Sequence, residues 1–205
     1  MKASENPMRD PWELENQRYN SGCQFVCGVD EAGAGPLAGP VYAAAVILPR
    51  GLTLPYLNDS KKVTPRRREI LFDQICQQAV AYAIAWASEE EIDQINILNA
   101  RMLAMERAIQ NLQPAADFAL IDGNYNRGIT LTNETVVNGD ARSASIAAAS
   151  ILAKVSRDRW MIQLAEQYPQ YAFEKHKGYP TKLHYERLRQ YGPSPIHRKT
   201  FLKKL

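Results

Sequence analysis

The spacing of apolar positions changes repeatedly along the chain, and each change predicts an element. Residues 25–31 form a β-rich run, and residues 41–48 form a second apolar run bounded by Pro40 and Pro49. Between residues 80 and 87, Tyr82, Ile84 and Trp86 alternate with alanines, which is the period of a strand. Residues 118–121 and 135–137 predict two further short strands. Asp10-Pro11-Trp12-Glu13 offers an N-cap, a proline in the first turn and a glutamate to close a capping box, so a short helix is expected over 11–19 before Asn20-Ser21-Gly22. Thr64-Pro65 starts a helix running to about Gln78. Ser88 and Glu91 make another capping box, after which Ile95, Leu98, Met102, Met105 and Ile109 fall on one stripe of a helix reaching Leu112. A long helix is expected over 144–167, alanine-rich at its start so that it can lie close against a sheet, and a last one over 181–190. Consecutive early strands predict a meander, and later strands separated by helices predict parallel additions. The expected fold is therefore α/β: a mixed β-sheet flanked by helices, with a helical C-terminal extension.

Composition narrows this picture. The 205 residues suit one medium domain, with 1–22 expected as a helical extension, 23–170 as the core domain and 171–205 as a basic extension that contributes to substrate binding. A hydrophobic content of 45% is enough for a real core, and no apolar run approaches the roughly 20 residues of a membrane span. The first residues are polar, with no apolar stretch of a secretory leader. Cys23, Cys27 and Cys76 form no Cys-x-x-Cys pair, so free thiols in a reducing cytoplasm are expected. Residues 170–205 hold nine Lys/Arg against two Asp/Glu, whereas the preceding residues hold sixteen against twenty. Lys61, Lys62, Arg66, Arg67 and Arg68 form a second basic cluster. An acidic body with basic flanks suits a protein that binds polyanions and holds cations at its centre.

Three acidic positions follow apolar runs. Asp30 and Glu31 sit side by side before Gly33-Ala34-Gly35-Pro36. Neighbours in a regular strand point to opposite faces, so the two are expected to share a site only where the strand ends or distorts. Asp122 follows Leu120-Ile121, and Asp140 follows Val136-Val137-Asn138-Gly139. Each taken alone fits a solvated strand end, a turn or a helix cap. Four acids at three strand ends would repel one another without cations, and hard divalent ions with oxygen ligands, Mg2+ or Mn2+, are the natural occupants. No Cys/His set has zinc spacing. His176, His184 and His197 all fall in the basic tail and are expected at the surface.

The stretches GVDEAGAGPLAGPV, LNDSKKVTPRRRE, EIDQINILNARMLAMERAI, ALIDGN, VVNGDARSASIAAASILAKVSRDR and HKGYPT, in this order over roughly residues 25–190, resemble bacterial ribonuclease HII. The resemblance implies a ribonuclease H-like fold and a metal-dependent endoribonuclease acting on RNA–DNA hybrids and on duplex DNA that contains ribonucleotides. It implies cleavage 5′ to the ribonucleotide, leaving 3′-hydroxyl and 5′-phosphate ends, with two Mg2+ or Mn2+ ions in the catalytic complex. The catalytic and metal-binding acids it implies are Asp30, Glu31, Asp122 and Asp140, with Asp30 the expected bridging ligand. It further implies that the backbone of Gly33-Ala34-Gly35 senses the ribose 2′-hydroxyl, that Tyr179 packs on the sugar past the cut, and that Lys61 and Lys62 lie near the phosphates.

Two positions depart from the family pattern. Ala34 stands where arginine is usual, and Asn138 where lysine is frequent. Both remove a cation beside the acids, so weakened phosphate contact is expected rather than lost chemistry. The rival readings are a non-catalytic or impaired hybrid-binding variant and a DNA-directed exonuclease. The latter would pair its first acids as Asp-x-Glu, unlike the adjacent pair here.

Overall fold

The computed structural model describes residues 10–57 and 63–203. Strand β1 (Val26–Ala32) occupies the centre of a five-stranded sheet, because its alternate residues feed apolar clusters on both faces. Strands β2 (Val41–Ile47) and β3 (Ala81–Ala87) extend it as an antiparallel meander, and β4 (Phe118–Asp122) and β5 (Asn133–Val136) extend the other side in parallel. The order β3-β2-β1-β4-β5 bears out the expected mixed sheet.

One face of the sheet carries Cys27, Val29, Ala43, Ala45 and Ile121 and is covered by helix α3 (Glu89–Gln110). The other carries Ala44 and Val46 and is covered by α4 (Ala144–Gln167), with α2 (Pro65–Gln78) packed beside it. The alanines of α4 do what their size allows. A Cβ added at Gly28 would collide with the backbone of Ser145 and Ile146, so strand and helix approach to near backbone contact there. Ser143 caps α4 by accepting the Ile146 N–H, at 3.1 Å. On β3 the alanines face α3, while Tyr82 and Trp86 point outward.

Two expectations needed correction. Helix α1 (Glu13–Asn20) begins two residues later than predicted, because the Asp10 carboxylate accepts the N–H of Trp12 and holds residues 10–12 in a turn. The single stripe expected on α3 is broken at Asn96, whose φ of 64° and ψ of 164° are not helical. Asparagine tolerates left-handed φ, and its side-chain oxygen accepts the Asn99 N–H at 3.1 Å, so it caps a second helical segment. The kink rotates the stripe and leaves Leu98 exposed.

Both flanking segments pack onto the sheet domain. In α1, Leu14 joins Val26 and Phe118, and buried Glu15 accepts from Ser145 N–H at 3.0 Å. After α4 come α5 (Phe173–His176) and α6 (Lys182–Tyr191), which fold back so that Tyr171 and Phe173 meet Ala38, Met161 and Leu164. Cys23, Cys27 and Cys76 are free thiols. Among the described residues, no helix is long and apolar enough to cross a membrane.

Candidate active site

The ladder between β1 and β4 ends at the pair Val29–Ile121, one residue before Asp30. Past that point β1 is paired only with β2, as far as Ala32. The crevice opened there lies at the carboxyl ends of two parallel strands, where open α/β sheets place ligands. Strand β1 neither ends nor distorts at its acids, contrary to expectation, and Asp30 and Glu31 do turn to opposite sides. Asp30 is engaged by Ser150 of α4, whereas the Glu31 carboxylate pairs with Arg101 of α3 at 3.3 Å. They share a cavity because the neighbouring strand has diverged.

That cavity, of about 380 Å³, is lined by Asp30, Glu31, Asp122 and Asp140, together with Gly33, Ala34, Gly35 and Tyr179. The sequence-predicted residues that are described all fall in it. Lys61 and Lys62 lie outside the described residues. Asp122, the last residue of β4, accepts the Gly139 N–H at 2.7 Å, which ties the β4 end to the turn carrying Asp140. A Cβ at Gly139 would press on Ile146 and the Asp122 carboxylate. Asp140 does not cap α4, since Ser143 holds that role.

Asp30 is buried, and its carboxyl is pushed well above the usual range, first by desolvation and then by the negative charges of Glu31 and Asp122. Its Oδ1 accepts the Glu31 N–H at 2.7 Å. Such crowding is relieved by a cation. Among the described residues, no three His, Cys, Asp or Glu side chains converge closely enough to hold a metal ion. The acids line a wall instead, and a hard divalent cation that retains several waters needs only one or two carboxylates plus a substrate phosphate. The sequence reading missed Ser150 and Lys154, which also line the cavity. Their four-residue spacing on α4, one turn before Asp158, was the available signal, and Lys154 pairs with Asp158 at 2.7 Å.

The opposite wall is held by groups distant in sequence. Gly33 has φ of +99°, and a Cβ there would overlap the Arg157 guanidinium, so the fold itself requires glycine. At Gly35 a Cβ would find only the Tyr179 ring, at an ordinary 3.9 Å. Nothing inside the protein demands glycine at that position.

The three histidines are buried, not at the surface as expected, because they stack with one another and with Phe173. Their tautomers follow from the backbone. Ser194 N–H donates to His197 Nδ1 at 2.9 Å, so the proton of neutral His197 is on Nε2. That proton is donated to His184 Nε2 at 3.0 Å, leaving His184 Nδ1–H to donate to the Tyr179 carbonyl, also at 3.0 Å. Gly178 N–H donates to His176 Nδ1 at 3.2 Å, so His176 Nε2–H donates to the Tyr171 carbonyl. The cluster thus supports the loop carrying Tyr179. Burial, with a neighbouring ring, lowers His184 and His197 to about 4.

Comparison with known proteins points to one family. The profile described as ribonuclease HII matches residues 27–204. Ribonuclease HII of Endomicrobium trichonymphae is 57% identical over 191 residues, covering 93% of this chain and 91% of that protein. Ribonuclease HII of Caldicellulosiruptor bescii is 49% identical over 205 residues, covering 100% and 98%. The crystal structure of ribonuclease H2 from Pyrococcus horikoshii OT3 superposes with a TM-score of 0.72 at 28% identity, over 86% of this chain and 93% of that one.

Proposed function

The chain belongs to the ribonuclease HII family, and from that premise we propose that it nicks duplex DNA on the 5′ side of an embedded ribonucleotide and hydrolyses the RNA strand of RNA–DNA hybrids. The family consists of endoribonucleases that act on such hybrids and depend on divalent metal. The observation that carries the finer reading is one cavity bringing together four carboxylates, a glycine-flanked turn and the Tyr179 ring.

In this reading Asp30, Glu31, Asp122 and Asp140 hold Mg2+ or Mn2+. When bound, such ions acidify the attacking water and offset charge at phosphorus and at the leaving 3′-oxygen. The protein supplies position. Asp30 is fixed by the Glu31 N–H and by Ser150, and Asp122 by the Gly139 N–H. Lys154, on the same wall, adds positive charge for a phosphate. The open space at Gly35 supports close approach of a sugar to the backbone, since the missing Cβ has no internal use. A 2′-hydroxyl met there distinguishes RNA from DNA locally, and exposed Tyr179 beside it offers a flat apolar surface to the next deoxyribose.

The test is nicking of a closed circular duplex holding one ribonucleotide, with Mg2+ or Mn2+ and then with chelator. Metal-dependent nicks bearing 3′-hydroxyl and 5′-phosphate ends are expected. Cleavage only after a free end is supplied would identify an exonuclease, and binding without cleavage an impaired variant.

A further inference from the structure

Arg157 and Arg198 are the two largest fully buried side chains, at 1% and 0% exposure. Burying a guanidinium without a counter-charge is costly. Among the described residues, neither has a carboxylate within ion-pair distance, and both spend their donors on main-chain carbonyls. Arg198 donates from Nε to Gly39 O at 2.9 Å, from Nη1 to Ala34 O at 3.0 Å and from Nη2 to Gly33 O at 2.7 Å. Arg157 donates from Nε to Pro40 O at 3.0 Å, from Nη2 to Ala38 O at 3.1 Å and from Nη1 to Lys177 O at 3.0 Å.

Two of those carbonyls, of Gly33 and Ala34, belong to residues of the cavity wall. A trans peptide places its N–H opposite its C=O. With Gly33 O and Ala34 O drawn toward Arg198, the N–H groups of Ala34 and Gly35 are turned away from it. Among the described residues, neither N–H donates to a protein acceptor, and both residues line the cavity. Arg157 also grips the Lys177 carbonyl, two residues before Tyr179, and its guanidinium lies 5.7 Å from the Tyr179 ring centroid. The same pair therefore fixes the spacing between the loop and the aromatic.

We propose that Arg157 and Arg198 are positioning residues for ribose recognition: they hold the 33–40 loop so that two peptide N–H groups face the sugar, with Tyr179 at a set distance. This rests on the reading that the loop senses the 2′-hydroxyl. The buried charges also polarise the peptides they hold, strengthening the outward N–H donors toward an oxygen ligand. Lysine cannot replace either residue, because one ammonium cannot span three carbonyls set around a planar fork.

The experiment measures affinity in Ca2+, to suppress cleavage, for a duplex with one ribonucleotide and for the same duplex in all-DNA form. The readout is the ratio of the two affinities, with melting temperature recorded in parallel. Arg198→Lys should lower the ratio about tenfold, equivalent to one well-placed hydrogen bond, with all-DNA affinity unchanged. Arg157→Lys should do the same through different carbonyls, and it is the second route if Arg198→Lys folds poorly. A merely structural role would lower the melting temperature with the ratio intact, and that result overturns the proposal. Gly35→Ala separates the two levels. If it collapses the ratio while both arginine variants keep it, the positioning role fails alone. If all three keep it, the loop is not the ribose sensor.

Discussion

The two walls of the cleft are assembled in opposite ways. On the acidic wall, each carboxylate comes from a sheet strand or the turn beside one: the Glu31 N–H and Ser150 hold Asp30, Arg101 of α3 pairs with Glu31, and the Gly139 N–H ties Asp122. On the facing wall, loop 33–40 has no strand of its own and is held by guanidiniums from 117 to 165 residues further along the chain. Charge follows the same division. The acidic wall concentrates like charges that need added cations, whereas the loop wall buries two guanidiniums that donate to main-chain carbonyls, with the negative charge of Glu89 acting on both from beyond ion-pair distance. In the proposed function, chemistry is delivered by rigid sheet geometry, and discrimination by a segment whose shape depends on α4 and the C-terminal segment that carries Arg198. Variants on the first wall should alter rate, and variants on the second should alter what is chosen.

The largest effect is expected on the acidic wall. Asp122→Asn should lower cleavage by about 100-fold or more, because the neutral isostere cannot help hold a cation. Its oxygen can still accept the Gly139 N–H, so folding and duplex binding should persist. Single-turnover nicking, with circular dichroism as the control, checks this, and a rate near that of the parent would remove Asp122 from the catalytic set.

The two glycines of the loop sharpen the contrast within a few ångströms. Gly33→Ala places a side chain at φ +99° and against Arg157, so a stability loss of roughly 2 kcal/mol or more is expected. Gly35→Ala has room, and its stability should change by no more than about 0.5 kcal/mol. Binding to a single-ribonucleotide duplex should nevertheless fall. Chemical denaturation paired with binding titrations separates the two, and equal stability losses would show that Gly35 serves the fold as well.

How much was legible beforehand follows the same division. The acids were visible because each stands within a few residues of the end of an apolar run, and the end of such a run is a local property. Thr64 and Ser88 could be placed for a related reason, since caps are read from a few adjacent residues. The break at Asn96 was not visible, because asparagine within an amphipathic stripe is unremarkable until its φ is known. Arg157 and Arg198 were unassigned, since nothing in Ser-Arg-Asp or His-Arg-Lys says that a guanidinium will be buried on carbonyls from the first strand's loop. The histidines were misplaced at the surface because composition made the tail look solvated, whereas Phe173, Tyr171 and Met161 give it a core of its own. Long-range packing does not follow from spacing.

A smaller effect comes from that histidine cluster. The rings of His184 and His197 are held near 4, mainly by burial, against an ordinary value near 6.5. Between those values the unfolded chain takes up protons that the folded chain refuses. Stability from these groups is therefore intact above about pH 6.5 and is lost as pH falls toward 4. Ring resonances followed by NMR should stay neutral through pH 5.5. Titration of either ring near 6.5 would contradict the chain of donors ending on the Tyr179 carbonyl.

The smallest effect should come from placing between the two glycines the arginine that the resemblance implied for that position. The Ala34 carbonyl accepts from Arg198 and the residue lines the cavity, so the backbone of this position is held whatever the side chain. Ala34→Arg adds a guanidinium that can reach a substrate phosphate through a charge-assisted bond. One more phosphate contact should steepen the dependence of log affinity on log salt by roughly 0.7 to 0.9, with the gain shrinking as salt rises. The cut position and the preference for ribose should not move, because the peptides held by Arg198 still set them. Affinity and nicking measured across a salt series on one single-ribonucleotide duplex decide the matter. An unchanged slope would place residue 34 away from the phosphates. A shifted cut would mean that the side chain, not the anchored backbone, sets register, and the division of labour between the two walls would have to be redrawn.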